Sequence, residues 1–108
     1  MVRIEIVTEL KDDILKKFQR ESKKIFKLMM FVGNSPKKGK FVAKIGKVAI
    51  KELKYKSFWF YFLVDAYKVK FFGVDELKSL LIKFIRMGDK NNQQKVIKEI
   101  KDFLRKFG

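Results

Sequence analysis

The side chains that most often do chemistry are missing from this sequence. It contains no histidine and no cysteine, which removes the commonest acid-base group, the commonest transition-metal ligand, thiolate chemistry and disulfides. Ser22, Ser35, Ser57 and Ser79 have no histidine to activate them. The acidic pairs Asp12-Asp13 and Asp75-Glu76 read as helix N-terminal acids rather than as metal ligands. The six glycines are scattered and form neither GxGxxG nor GxxxxGK(S/T), so no phosphate loop and no cofactor is expected. What remains is cationic and aromatic: 27 Lys plus Arg against 12 Asp plus Glu, a net charge of +15, and 12 Phe. A polyanion or an acidic protein is the expected partner. The stretch Ser57 to Asp65, SFWFYFLVD, concentrates the aromatics. On a strand, Phe58, Phe60, Phe62 and Val64 point one way and Trp59, Tyr61 and Leu63 the other. If one set is core, Trp59 and Tyr61 stand with lysines or arginines of neighbouring strands on a surface able to stack bases and hold phosphates.

The elements that position these residues follow from periodicity. A chain of 108 residues is the size of a single domain, 1–108. Val2, Ile4 and Ile6 alternate with Arg3 and Glu5 as in a half-buried strand. From Thr8 the apolar residues Leu10, Ile14, Leu15, Phe18, Ile25, Phe26 and Met29 fall three and four apart, so one long helix is expected, ending at "GNSP". "PKKGK", with Lys37, Lys38 and Lys40, is a basic loop, and Phe41 to Gly46 fits no pattern. Val48 to Lys56 and Phe58 to Val64 form a hairpin, with Tyr67 to Phe72 as a third strand of the meander. Val74 to Lys78 is a short helical turn and Leu80 to Met87 a further strand. Val96, Ile97, Ile100, Phe103, Leu104 and Phe107 define a C-terminal helix capped by Asn91 or Asn92.

This pattern predicts an α+β domain: an antiparallel twisted sheet of four or five strands with a long N-terminal and a C-terminal helix. Both helices are expected on one flank, leaving lysines, arginines and Trp59 to crowd the other. No apolar run is long enough to span a bilayer, and the charged N-terminal residues do not read as a signal peptide. A cytoplasmic protein without a membrane partner, monomer or homodimer, is the expectation.

The element order, together with "PKKGK", "KELKYKSFWFYFLV" across the hairpin and "LLIKFIRMGDKNNQQKVIKEIKDFL" across the last strand and helix, resembles the RelE/HigB superfamily of toxins, most of all its phage-derived HigB-like branch. The resemblance implies a RelE-like fold and the toxin of a type II toxin-antitoxin system. Its activity would be metal-independent, ribosome-dependent mRNA cleavage, silenced by an acidic antitoxin protein. Cleavage through a 2′-hydroxyl needs a base, a leaving-group acid and positive charge at the phosphate, which Lys, Arg and Tyr can supply. On the matching positions, Lys54 and Lys56 take the place of the strand cations, Arg86 and Lys90 that of the basic residues around the last turn, and Tyr61 is a further catalytic candidate. Trp59, Lys37, Lys38 and Lys40 would contact the nucleic acid. Trp59 stands where the family commonly has an arginine, and Arg86-Met87 replaces a doubled lysine. The alternative is therefore a non-catalytic nucleic-acid-binding or protein-interaction domain of the same fold.

Overall fold

The structure is a computed structural model and describes residues 3–35, 38–66 and 81–107. The sequence of elements is β1 (Arg3–Ile6), α1 (Thr8–Phe18), a 3-10 turn (Gln19–Glu21), α2 (Ser22–Phe31), β2 (Lys40–Ile45), β3 (Val48–Tyr55), β4 (Phe58–Asp65), β5 (Leu81–Asp89) and α3 (Gln93–Phe107). The five strands make one sheet in the order β1-β5-β4-β3-β2. β2, β3, β4 and β5 are antiparallel neighbours. The stretch that fitted no pattern is strand β2. The predicted strand Tyr67 to Phe72 and turn Val74 to Lys78 lie outside the described residues.

Three expectations are corrected. The sheet is mixed, not antiparallel, because β1 pairs parallel with β5, Ile4 opposite Ile82 and Ile6 opposite Phe84. That register sets both isoleucines beside the buried Ile82 and Phe84 on the same core, and the Val7 N–H extends it by donating to the Phe84 carbonyl at 3.0 Å. The long N-terminal helix is broken: Gln19 takes φ +48°, and the Ser22 hydroxyl, buried in the apolar stripe, donates to the Ile14 carbonyl at 3.1 Å. A straight helix over Thr8–Phe31 would run about 36 Å at 1.5 Å per residue, as long as the longest axis of the molecule, 37 Å. The break folds the run back so that Leu10, Ile14, Ile25 and Met29 all reach the sheet. Fully buried, each contributes about 1.5–3 kcal/mol.

The third correction concerns the layers. α1 and α2 cover the face of Phe60, Phe62, Val64 and Phe84, as the alternation of β4 predicts. The opposite face is not left to solvent, because α3 packs there through Val96 and Ile100 on Ile50, Tyr61, Leu63 and Ile85. A β-bulge between Tyr61 and Phe62 of the β4–β5 ladder lets Ile85 and Arg86 both serve that side. Nor do the cations crowd one flank: exposed lysines occur on α1 (Lys11, Lys16, Lys17), α2 (Lys23, Lys24, Lys27), α3 (Lys95, Lys98) and both hairpin turns (Lys47, Lys56). Among the described residues no helix is long and apolar enough to cross a membrane.

Candidate functional site

Beyond the end of α3 nearest the β3–β4 turn, part of the second sheet face stays open. The register builds it in two rows. Lys40 pairs with Glu52 and Glu52 with Tyr61, while Lys54 pairs with Trp59 and Trp59 with Gly88. Paired residues share a face, so Lys40, Glu52, Lys54 and Trp59 all turn toward one groove. It encloses about 560 Å³ and is lined by Lys38, Gly39, Lys40, Glu52, Leu53, Lys54 and Trp59.

Glycines fix both walls. Gly39 adopts φ +98°, and a Cβ on it would stand 2.7 Å from the Phe62 ring. Only glycine lets the incoming loop lie this close to the sheet edge and deliver Lys38 and Lys40. Gly88 does the same for α3: a Cβ there would meet the Tyr61 ring at 3.2 Å and Asn92 and Gln93 at 3.4 Å. The turn into α3 is tied by the Asp89 carboxylate, which accepts from the N–H groups of Asn91 (2.8 Å) and Asn92 (3.0 Å). In return the Asn92 side chain accepts from the Asp89 N–H at 2.8 Å. Asn92 is the residue that starts the helix, its carbonyl accepting from the Val96 N–H.

Trp59 is half-buried, in contact with the α3 core on one side, and the Lys54 ammonium lies 5.4 Å from its ring centroid. The Lys38 ammonium rests 4.8 Å from the Phe31 ring. Glu52 is half-buried among these cations. Burial raises its pKa and Lys40 opposes the rise. Tyr61, the next residue of its row, is fully buried, and its hydroxyl has no hydrogen-bond partner among the described residues. Burial, and then the Glu52 charge, push the phenol up to about 12.

The predicted catalytic set is not assembled. Lys54 is in the groove, but Tyr61 lies beneath α3, out of reach of a ligand on the surface. Lys56 sits in the β3–β4 turn with φ +53° and donates to both carboxylate oxygens of Glu21, at 2.9 and 3.0 Å. Tyr55 donates to the same carboxylate at 2.9 Å. The bonds from Lys56 and Tyr55 hold Glu21 below the usual carboxylate range, and the same bond raises Lys56. This cluster latches the turn onto the α1–α2 junction. Arg86 donates to Glu99 of α3 at 3.1 Å, and Lys90 is exposed in the turn before α3. Of the predicted nucleic-acid contacts, Trp59, Lys38 and Lys40 meet at the groove, and Lys37 lies outside the described residues. Among the described residues no three carboxylates gather as a metal site would require. Sequence reasoning assigned nothing to Glu52, although the alternation Ile50, Glu52, Lys54 on one strand places it beside Lys54. Compared with family models, curated proteins and solved structures, the chain has no match.

Proposed function

We propose that this protein binds single-stranded RNA in the groove of Lys38, Lys40, Lys54 and Trp59. The observation that carries the reading is Trp59, the single tryptophan of the chain, half-buried in an open groove with three lysines at its walls. A rigid aromatic plane ringed by cations suits a flexible strand whose bases stack and whose phosphates are held by charge. A solvated charge layer alone does not account for it, since among the described residues these lysines are set around the single tryptophan.

The same residue supplies the test. Titration of the protein with a short oligouridylate is expected to quench Trp59 fluorescence. Three phosphate contacts should give a slope near −2 in log affinity against log salt, at roughly −0.7 per phosphate. Trp59→Ala, followed by gel shift, should weaken binding by about 1–3 kcal/mol, the loss of one stacked base. An unchanged fluorescence spectrum at millimolar oligonucleotide overturns the proposal.

A second reading, the RelE/HigB-like toxin, is supported by the strand β5, with Lys83 and Arg86, that runs into a C-terminal helix. On this reading the groove holds messenger RNA at the ribosome in the cytoplasm, and an acidic antitoxin covers it. Lys54 is then the catalytic cation, with Lys90 beside the α3 turn, because Lys56 and Arg86 are engaged by Glu21 and Glu99. Expression should arrest growth, and Lys54→Ala with Lys90→Ala should abolish both arrest and RNA cleavage. Arrest that survives the double substitution excludes this role.

A further inference from the structure

We propose that the groove selects guanine, with Trp59 stacking the base and the Glu52 carboxylate reading its Watson–Crick edge. This rests on the RNA-binding reading and adds a base preference to it. A site for the phosphate backbone alone has no use for an acid, which repels the ligand. Yet Glu52 lines the groove between Lys40 and Lys54. Elsewhere Glu5, Glu21, Glu99 and Asp102 are each matched by a lysine or arginine within 3.5 Å. Among the described residues Glu52 has only the longer-range field of Lys40. Its register partner is the buried Tyr61, so the half-buried Glu52 side chain rises from the sheet face that carries Trp59.

Geometry then sets the ligand. Glu52 and Trp59 are diagonal neighbours on adjacent strands, since Glu52 pairs with Tyr61, two residues along from Trp59. Such positions stand about 7–8 Å apart, a span a purine stacked over Trp59 can bridge. The Lys54 ammonium now lies over that ring; an entering base takes its place, and the ammonium turns to the phosphate. Of the four RNA bases only guanine offers two adjacent donors, N1–H and the 2-amino group, to the two oxygens of a carboxylate. Adenine and cytosine set an acceptor beside their amino group, and uracil sets its one donor between two acceptors, so each would place a lone pair against the carboxylate.

Three oligoribonucleotides of equal length test this, uridylates carrying one central guanosine, inosine or adenosine, each titrated into the full chain and read by Trp59 fluorescence. Guanosine should bind about 5- to 150-fold more tightly than adenosine, the range of a good bidentate base contact. Inosine, which keeps N1–H and lacks the 2-amino group, should fall between. Glu52→Gln, similar in shape, should reduce the guanosine preference to within about twofold while the salt slope of a plain uridylate is kept or steepened. Equal affinity for all three oligonucleotides with the salt slope intact overturns guanine selection and leaves RNA binding standing. No quenching by any of them overturns both, and quenching by polyglutamate alone assigns the groove to an acidic protein segment instead.

Discussion

Tyr61 carries a buried hydroxyl with no partner among the described residues, so removing it should not weaken the fold. An unsatisfied buried polar group costs about 1–3 kcal/mol, and Tyr61→Phe is expected to raise the urea midpoint. The same residue predicts alkaline behaviour. Burial pushes its pKa up to about 12, above the ordinary tyrosine value of about 10, so the folded state holds the phenolic proton longer than the unfolded chain does. Stability from this group is intact below pH 10 and is lost as pH climbs toward 12, by about 3 kcal/mol at 1.36 kcal/mol per unit. Urea midpoints measured across that range should fall less steeply in Tyr61→Phe than in the native protein. Parallel curves would mean that the hydroxyl is solvated. Glu52 has the opposite balance, since burial of its charge works against the fold while the proposed guanine contact would give that charge a use.

The break between α1 and α2 is the element where sequence and structure part most clearly. Gln19 pays for its φ of +48° with strain that a glycine would not feel. Gln19→Gly should therefore hold or raise the urea midpoint, whereas glycine inside an unbroken helix lowers stability by about 1 kcal/mol. A drop of that size would mean that the helix runs straight through in solution. The signal for the break was legible in part: Ser22 interrupts the stripe Leu10, Ile14, Phe18, Ile25, Met29, and a buried hydroxyl needs an acceptor, here the Ile14 carbonyl. The hairpin was read correctly because Ser57 separates two runs of strand-forming residues, Val48 to Lys56 and Phe58 to Val64. Alternation separated Phe60 and Phe62 from Trp59 and Tyr61 without deciding which set the helices cover; α1 and α2 cover Phe60 and Phe62, while Tyr61, expected on the barer face, is buried under α3. The placement of α3 was not legible. Its apolar stripe of Val96, Ile100 and Leu104 fits either sheet face, and Gly88, whose missing side chain eases the approach of the α3 turn to Tyr61, belongs to the face that α3 takes. Of the candidate site, the cations and Trp59 followed from composition and alternation. Which cations were already engaged depended on Glu21 and Glu99, acids 35 and 13 residues away in the chain.

Across the whole molecule the net charge of +15 is spread over every layer, and its first consequence is self-repulsion. Raising ionic strength from about 0.01 M to 0.1 M shortens the screening length from about 30 Å to 10 Å, less than the smallest dimension of the molecule, 21 Å. Thermal unfolding should therefore move to higher temperature with added salt, while RNA affinity moves the other way. A melting temperature that falls with salt would place the dominant charge effect in attractive pairs such as Lys56–Glu21 and Arg86–Glu99. The even spread also means that charge alone would not choose the groove; on the RNA-binding proposal Trp59 and Glu52 do.

The parallel pairing of the first strand with the fifth carries one more implication, for how the chain matures. Arg3 has to wait for Leu81, its ladder partner, so during synthesis β1 stays without its neighbour until a residue 78 positions further along the chain has emerged. Contacts so distant along the chain form slowly. Until then Ile4 and Ile6 are open to any other unpaired strand, which makes nascent copies of this protein vulnerable to sticking to one another and gives a holding chaperone a defined place to act.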